Sequence, residues 1–578
     1  MITFAEAQLV DKGASKVGGA ASNEKVLPCH VLIVGGGFAA TMAAITAAEA
    51  GADVIMVVKG EVGASGSSAR AGGVIAASLY HPEVDALAAP DDIATHIDDT
   101  LRVGCGLCSN GHVRALAEDA PIGIRELQRH GVPFSKTENG QLYLLQLPGN
   151  TRPRGCSVVG GGPTLMEILR DRLEELGVQL LENTAVTRLL TKDGNVVGAR
   201  TQSVSGQTSC TIWCGATVLA TGGATGLFAT VSGDNRNTGD GLALGYEAGA
   251  ELANLEFVEF TLVYKIRGRV LAMAGLAPFL SRGCTLVNRH GERFMEQYYP
   301  PDVLERAGRP EMLRAVLQET QKGRSPVCIE CSALSQSVWE EFERSQGQSI
   351  LRKIRDAGAD YRSEPIEVVP AQHSVLAGLV TDANAATRIQ GLWAAGECAT
   401  GVHGAARLSG NGLSACLVFG RKAGRNAALF ALDRANMSRA PIEFVDGSCG
   451  DEAAQPYQGR LDSLREEISA LAEDALGVVR DPSRLRAAKA RFREIRVSAT
   501  GAAPPNGSLA SLQVAHLAML GELMAEAALQ RKESRGLHFR TDSASTNETW
   551  RKWLVVRKSP GSGMPIWSYH SELSPAEV

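Results

Sequence analysis

Residues Val31 to Ala40 read VLIVGGGFAA, and this stretch decides the fold of the 578-residue chain. Val31 to Val34 predict a short buried strand, and Gly35 to Gly37 predict a tight turn. The alanine-rich segment from Phe38 to Ala50 predicts a helix, and Val54 to Val58 predict a second strand. Strand, glycine turn, helix and strand in this order form the βαβ unit of doubly wound α/β proteins.

The glycines of this turn indicate a dinucleotide site. A dinucleotide pyrophosphate contacts backbone N–H groups at a helix N-terminus, and a Cβ atom at Gly35 or Gly37 would hold it away. Ala40 takes the third position of the glycine fingerprint and still allows the helix to pack closely on the strand. Lys59 follows the second strand, where many such folds place an acidic residue for the ribose, so adenosine recognition is expected to use other groups.

The composition excludes several classes of protein. Hydrophobic residues make up 44% and charged residues 21%, which is typical of a folded globular chain. A net charge of -5 provides no excess of cations for a nucleic acid partner. The 12 cysteines are scattered, so reduced thiols and no metal site are expected, and Cys105 and Cys108 are interpreted as ordinary thiols.

The N-terminal region favours a cytoplasmic location. Met1 to Lys25 contain no apolar signal segment. Val31 to Ala48 are uncharged and long enough to suggest a membrane helix, but the glycines divide them into strand, turn and helix. We therefore expect no transmembrane segment.

Further glycine-rich junctions carry a family resemblance. They are ATGG at residues 220–223, TGDG at 238–241, GLWAAGE at 391–397 and HGAARLSGNGL at 403–413. Asp240 in the second motif is also expected to cap a helix. In this order the motifs resemble the flavoproteins of the succinate dehydrogenase and fumarate reductase family, which includes L-aspartate oxidase. NRHGERFM at 288–295 and ESRGLHFRTD at 533–542 extend the resemblance from Leu27 to Trp553.

The resemblance implies an α/β fold in which a doubly wound FAD-binding domain carries an inserted α+β capping domain and is followed by a C-terminal helical domain. Amphipathic stretches at Gln458–Leu476 and Leu512–Arg531 independently indicate packed helices. The expected boundaries are an N-terminal extension at 1–26, the FAD-binding domain at 27–262 and 370–435, the capping domain at 263–369, the helical domain at 440–545 and a C-terminal tail at 546–578.

The resemblance also implies FAD as the cofactor, held without a covalent bond. Membrane-bound members attach the flavin to a histidine in an S-H-T run, but this chain has Ser65-Gly66-Ser67 there, which is closer to the aspartate oxidase pattern. The implied FAD-binding residues are Gly35, Gly36, Gly37, Ala40 and Lys59 for the adenosine and pyrophosphate, Ser65, Ser67, Gly72 and Gly73 for the isoalloxazine, Glu397 for the ribityl or ribose, Asn411 and Leu413 for the pyrimidine end, and in addition Thr221, Gly222 and Asp240.

The family chemistry is hydride transfer between flavin and a carboxylate-bearing substrate, coupled to proton transfer. By resemblance, His373 and Arg407 are expected to bind the substrate carboxylate, and Arg282 is the candidate proton carrier. The chain departs from the family where Thr261 to Tyr264 replace H-P-T-G, and the spacing after Arg282 is shortened. These departures argue against fumarate or succinate as the native substrate. If Arg282 is not the proton carrier, the next candidates in the altered region are Tyr264, Arg267 and Arg269.

Three functional interpretations stay open at this point. The first is an FAD-dependent dehydrogenase, reductase or oxidase acting on a small carboxylate or amino acid. The second is specifically an L-aspartate-oxidase-like enzyme, although no acidic residue can be assigned to a substrate amine. The third is an electron-transfer subunit without its own substrate chemistry. The chain contains no iron–sulfur, haem or nicotinamide motif, so an electron carrier or a partner subunit is a candidate partner.

Overall fold

The computed structural model describes residues 25–79, 92–274, 276–280, 282–301, 303–304, 309–344, 347–437, 455–501 and 508–572. The expected N-terminal extension therefore lies almost wholly outside the described residues. The helices in the described residues are α1 (Phe38–Glu49), α2 (Ile93–Val103), α3 (Asn110–Arg129), α4 (Gly161–Glu175), α5 (Asp240–Glu247), α6 (Ala277–Leu280), α7 (Arg309–Gln321), α8 (Gln336–Arg344), α9 (Gly347–Asp356), α10 (Asn411–Met437), α11 (Gln455–Ala475), α12 (Pro482–Gly501) and α13 (Leu509–Gln530).

Within the part of the chain that the structure describes, the strands form five sheets, and the largest has seven strands. In chain order the strands are β1 (Lys25–Val34), β2 (Val54–Val57), β3 (Val74–Ala76), β4 (Leu144–Leu145), β5 (Gly155–Ser157), β6 (Gln179–Leu181), β7 (Thr184–Lys192), β8 (Asn195–Ser203), β9 (Ser209–Leu219), β10 (Leu252–Ala253), β11 (Val258–Ile266), β12 (Arg269–Ala274), β13 (Thr285–Val287), β14 (Cys328–Glu330), β15 (Ile366–Val375), β16 (Gly378–Val380), β17 (Leu392–Ala394), β18 (Ala399–Thr400), β19 (Val479–Arg480), β20 (Phe539–Arg540), β21 (Trp553–Lys558) and β22 (Pro565–His570).

The predicted βαβ unit is present at the centre of the largest sheet. β1 pairs in parallel with β2 on one side and with β9 on the other, and β6 and β17 extend the parallel part. The apolar end of β1 is buried, as expected for a central parallel strand. Gly35 has φ +126°, and a Cβ there would lie 2.2 Å from the Ala220 carbonyl oxygen, so this turn requires glycine.

Helices α1 and α10 pack against each other through small residues. A Cβ on Gly420 would lie 2.5 Å from the Ala39 carbonyl oxygen, and a Cβ on Gly424 would lie 2.1 Å from that of Ala43. These glycines are four residues apart and share one face of α10, so the two backbones approach more closely than side chains would allow. This contact fixes the relative position of the two helix N-termini that border the candidate site.

The inserted sheet has the order β12-β11-β15-β14-β13 and carries helices α6 to α9 along its chain. Its two long strands, β11 and β15, pair antiparallel, with Leu262 opposite Pro370 and Val263 opposite Val369. The predicted domain boundaries thus fall at matching positions within one strand pair. The division into domains stays a prediction.

One expectation about the cysteines is wrong. Cys284 and Cys331 form a disulfide, whereas reduced thiols were expected throughout. They are 47 residues apart in sequence, and the antiparallel pairing of β13 with β14 brings their Cα atoms to 4.6 Å. Cys105 and Cys108 are not part of this disulfide, and their interpretation as ordinary thiols stays a prediction.

The C-terminal region contains the two predicted helices, here α11 and α13, and also α12, which the sequence analysis did not predict. α13 is long and apolar enough to cross a membrane by length and composition, and 78% of its apolar window is buried in the protein. A buried core helix passes the same test. The expected tail contains β21 and β22, and β21 pairs with β10, where Leu252 lies opposite Val556.

Candidate functional site

The turn between β1 and α1, Gly35 to Gly37, forms a concave backbone surface, here called the cradle. Larger side chains in this turn would fill it. A Cβ on Gly36 would lie 2.4 Å from Val58 Cγ1, and Gly37 takes the N-cap position of α1 without a side chain. The Phe38 N–H donates to Ser68 Oγ at 3.0 Å, so Ser68, which the sequence analysis missed, marks the facing wall. Ala40 is fully buried behind this turn. The backbone N–H groups at the start of α1 fit a pyrophosphate.

Lys59 and Asp240 meet beside this cradle. Lys59 Nζ lies 2.7 Å from Asp240 Oδ2 and also donates to Thr238 Oγ1 at 2.6 Å. Asp240 does not cap α5 as expected, because the N-cap is Gly239 and the Asp240 carboxylate faces Lys59 and His516 instead. Burial disfavours the charged carboxylate, but these two neighbours outweigh burial and lower the pKa of Asp240.

Thr221, which follows the end of β9, is linked to the start of α5. The Gly241 N–H donates to Thr221 Oγ1 at 3.0 Å, which ties the start of α5 to the end of the central sheet. Gly222 has φ +78°, a conformation that glycine adopts without strain. Both residues lie at the edge where the central sheet meets the start of α5, and their contact with FAD stays a prediction.

The loop from 65 to 73, which contains Ser68, forms this facing wall. Ser67 Oγ accepts a hydrogen bond from Asn237 Nδ2 at 3.1 Å, whereas Ser65 Oγ donates to the Glu61 carbonyl within its own turn. Gly72 has open space around its Cβ position, and Gly73 approaches Gly161 closely, with a Cβ-to-Cα distance of 2.7 Å.

A buried aspartate anchors this loop. The Gly66 N–H donates to Asp234 Oδ2 at 2.8 Å, and Arg236 binds the same carboxylate at 2.6 Å. Burial opposes ionisation of Asp234, but its hydrogen bonds to Arg236 and Gly66 lower its pKa. Gly66 has φ +84°, and its Cβ position faces open space. The loop is thus held through its backbone, and no side chain at residue 66 reaches the cradle.

Glu397 and Asn411 belong to the segment that leads from β17 to the start of α10. Glu397 Oε1 accepts from the Val375 N–H at 2.9 Å, and burial raises the pKa of Glu397 to about 7. Asn411, the first residue of α10, is buried, and its Nδ2 donates to Thr100 Oγ1 at 3.0 Å. His96 Nε2 lies 2.9 Å from Asn411 Oδ1. Leu413 is half-buried on the first turn of α10.

A β-bulge positions His373. Glu259 pairs with Ser374 and Phe260 pairs with Gln372, so His373 is the extra residue of β15. A bulge bends the strand and re-aims a side chain, and such bulges are frequent next to active sites. His373 Nδ1 lies 2.7 Å from Ser232 Oγ. No local pattern signals this bulge, because register is decided by the partner strand.

Arg407 has a protein carboxylate beside it. Its Nε and Nη2 atoms donate to Glu259 Oε2 at 3.0 and 2.7 Å, and Ser374 Oγ donates to the same oxygen at 2.6 Å. The structure therefore brings Arg407 to the bulge that carries His373, through Glu259 and Ser374. Sequence reasoning missed Glu259, although an acidic residue inside the apolar run Phe257 to Leu262 was an available signal.

Arg282 lies in the inserted sheet region against an aromatic cluster. Its guanidinium carbon is 4.8 Å from the centre of the Phe342 ring. Tyr264 belongs to the same cluster and is fully buried, and Arg267 and Arg269 lie at the turn between β11 and β12. The role of Arg282 as proton carrier stays a prediction.

A buried ionic network supports the loop that carries Arg407. Arg535 Nε binds Glu533 at 2.8 Å, and its Nη1 donates to the Cys105 carbonyl at 2.7 Å. The Leu537 N–H donates to the Ala405 carbonyl at 3.0 Å. These contacts give the ESRG motif a physical role. They fix the backbone at Ala405, two residues before Arg407.

The residues present fit a flavin dinucleotide. Two helix N-termini, of α1 and α10, border a cradle in which glycines lie where a Cβ would collide, and this combination suits a long diphosphate ligand. Gly37 and the loop at 65–73 would face the diphosphate and ring parts, and Asn411 at the start of α10 would face the far end. The assignment of individual FAD contacts stays a prediction.

Comparison with known proteins agrees with this architecture. Residues 30–413 match the family described as "FAD binding domain", and residues 465–573 match "Fumarate reductase flavoprotein C-term". The chain is 32% identical to the matching chain of the CoM/CoB fumarate reductase of Methanothermobacter marburgensis, over 92% of this chain and 97% of that chain. It is 31% identical to the L-aspartate oxidase of Streptomyces coelicolor, over 93% of each chain.

A solved structure shows the same fold over nearly the whole chain. The FrdA chain of Escherichia coli quinol fumarate reductase superposes with a TM-score of 0.81 at 25% identity, covering 96% of this chain and 99% of that chain. The fold class, the glycine cradle and the two family matches agree with one another. The chain therefore belongs to the succinate dehydrogenase and fumarate reductase flavoprotein family and is an FAD-dependent oxidoreductase.

Proposed function

We propose that this flavoprotein exchanges a hydride with a small substrate that carries a carboxylate. The observation that carries the proposal is a buried cation: the side chain of Arg407 is only 10% exposed and lies beside the bulge of His373. Glu259 binds one edge of this guanidinium, and the remaining donors of its planar fork suit a further carboxylate. The relatives named as fumarate reductase and L-aspartate oxidase have substrates with carboxylates, which supports the same class.

The chain's own residues would orient the substrate. FAD, when bound, supplies the group that gives or accepts the hydride. His373 and Arg407 would hold the substrate carboxylate so that the reacting carbon meets the cofactor in one orientation. Arg282 is the proposed proton carrier. Its guanidinium lies over the Phe342 ring in the inserted sheet region, and the variant Arg282→Gln tests this role.

A second candidate, an amino acid oxidase, is favoured by one specific observation. The sequence assigned no acidic residue to a substrate amine, but the structure places the buried carboxylate of Glu259 directly beside Arg407. A carboxylate and a guanidinium in one site are complementary to the ammonium and carboxylate groups of an amino acid. Relatives named L-aspartate oxidase, at 30 to 33% identity, agree with this candidate.

The second half-reaction needs an acceptor or donor outside the chain. We propose oxygen, a soluble carrier or a partner subunit for this role, and a cytoplasmic location. A relative from Escherichia coli is named as a fumarate reductase flavoprotein subunit, which supports the partner. A flavin-carrying subunit without substrate chemistry is the remaining alternative, and turnover with any carboxylate would exclude it.

The test is anaerobic bleaching of the bound flavin at about 450 nm with a panel of carboxylates and amino acids. Reduction by a hydroxy or saturated acid would support the first candidate. Reduction by an amino acid with release of ammonia would support the second. If no compound reduces the flavin, and none reoxidises the chemically reduced enzyme, the proposed function is wrong.

A further inference from the structure

The strongest unexplained feature of the candidate site is the buried carboxylate of Glu259. Its side chain is 2% exposed, so water does little to screen its charge. It lies in β11, at the register position opposite Ser374, next to the bulge that presents His373. The proposed substrate clamp therefore already contains one negative charge before any substrate binds.

Glu259 binds only one edge of the Arg407 guanidinium. Both bonds from Arg407 to Glu259 use one edge of the guanidinium, formed by Nε and Nη2, and both end on Oε2. Nη1 lies towards the first turn of α10, close to Gly412, whose Cβ position is 2.8 Å from it. The remaining donors of the planar fork can bind one further carboxylate. That carboxylate would lie within about 4–6 Å of Glu259, a separation at which like charges oppose each other.

Two other titratable neighbours, His403 and Glu397, supply no positive charge. Burial and, to a smaller extent, the positive charge of Arg407 together outweigh the opposing effect of Glu259 and lower the pKa of His403 to about 3, so His403 is neutral near pH 7. Burial raises the pKa of Glu397 to about 7, so this residue adds negative charge or none. Among these four side chains Arg407 is thus the one cation, and Glu259 already balances its charge.

We propose that Glu259 is a specificity-determining residue that restricts this site to substrates whose net charge is no more negative than minus one. Resting on the proposed function, the inference names the substrate class for the same site: monocarboxylates, or dicarboxylates whose second charge is balanced by a cationic group. Glu259 orients the guanidinium of Arg407 and at the same time cancels its charge. A dianion would gain one contact with Arg407 but would also meet the charge of Glu259.

The experiment compares two ligands of equal shape and different charge. Fumarate carries two negative charges, and fumaramate, its monoamide, carries one. Dissociation constants of both for the FAD-loaded enzyme at pH 7.5 are measured from the change in flavin absorbance. We expect the unmodified enzyme to bind fumaramate at least as tightly as fumarate. In Glu259→Gln, which keeps an oxygen that accepts from Arg407, we expect fumarate to bind at least about tenfold more tightly, with a smaller change for fumaramate.

Two variants separate charge from structure. Glu259→Asp keeps the charge and should keep the preference of the unmodified enzyme. Glu343→Gln removes an equal charge from a partly exposed position on α8, where Glu343 pairs with Arg362, and should leave the ratio of the two dissociation constants unchanged. Flavin content and circular dichroism report whether each variant is folded.

The outcomes distinguish the inference from the proposed function. If the unmodified enzyme binds fumarate tenfold or more tightly than fumaramate, the inference is wrong but the proposed function stands. This result does not depend on the folding of any variant. An unchanged ratio in a folded Glu259→Gln enzyme also overturns the inference alone. If neither these ligands nor any other carboxylate perturbs the flavin spectrum, the inference and the proposed function both fail.

Discussion

Replacing Glu397 with glutamine should remove one source of pH dependence from the stability of the FAD-free protein. Burial raises the pKa of Glu397 from an ordinary value of 4.5 to about 7. Below pH 4.5 the carboxyl is protonated in both the folded and the unfolded chain, and its contribution to stability is fully present. As the pH rises towards 7, the unfolded chain loses this proton first, so the folded state is progressively destabilised.

The size of this effect follows from the pKa difference. At about 1.36 kcal/mol per pKa unit, the loss between pH 4.5 and pH 8 is roughly 3 kcal/mol. Glu397→Gln keeps an oxygen that accepts from the Val375 N–H but cannot ionise. Its stability relative to the unmodified protein should therefore increase by that amount over the same interval.

The assay is urea unfolding of both apoproteins from pH 4.5 to pH 8, followed by tryptophan fluorescence. Burial lowers the pKa of His403 to about 3 and that of His112 to about 4, so these residues destabilise the fold as the pH falls below the unfolded histidine value. They are present in both proteins, so their effect cancels in the difference. A difference in unfolding free energy that stays constant across this pH range would refute the reasoning.

Four further results are expected. Gly424→Val places a side chain against the Ala43 carbonyl and should cost about 3 kcal/mol or more, measured by thermal unfolding; an unchanged midpoint would contradict the α1–α10 contact. Arg407→Lys replaces the planar guanidinium with a single-point donor, so transition-state binding should weaken by on the order of 1.5 to 3 kcal/mol. The measurement is the fall in kcat/KM of enzyme with full flavin content, and an unchanged kcat/KM would contradict the carboxylate contact. Arg282→Gln should slow the chemical step by roughly 10²-fold with normal substrate binding, and a parental rate would move the proton path elsewhere. Because Gly66 offers no imidazole, denaturation should release all FAD through an ultrafilter, and yellow colour kept on the polypeptide would disprove non-covalent binding.

The sequence alone was sufficient for the features that depend on the local chain. The apolar run of Val31 to Val34 and the three glycines after it predict β1, its turn and α1. The positive φ of Gly35 and its close approach to Ala220 can be met only by glycine, so a single residue type signals the turn. The family motifs then predict FAD and the class of chemistry, and both are confirmed. Even α11 and α13 follow from local amphipathic patterns.

Only the tertiary structure decided which charges meet. Lys59 and Asp240 are 181 residues apart, and Arg407 and Glu259 are 148 residues apart, so no local pattern relates either pair. The position of His373 depends on a bulge that exists only because β15 pairs with β11. Likewise, the disulfide between Cys284 and Cys331 depends on the pairing of β13 with β14. Sequence patterns report what each segment prefers by itself, whereas the electrostatics of a buried site depend on distances between segments, and folding alone sets those distances.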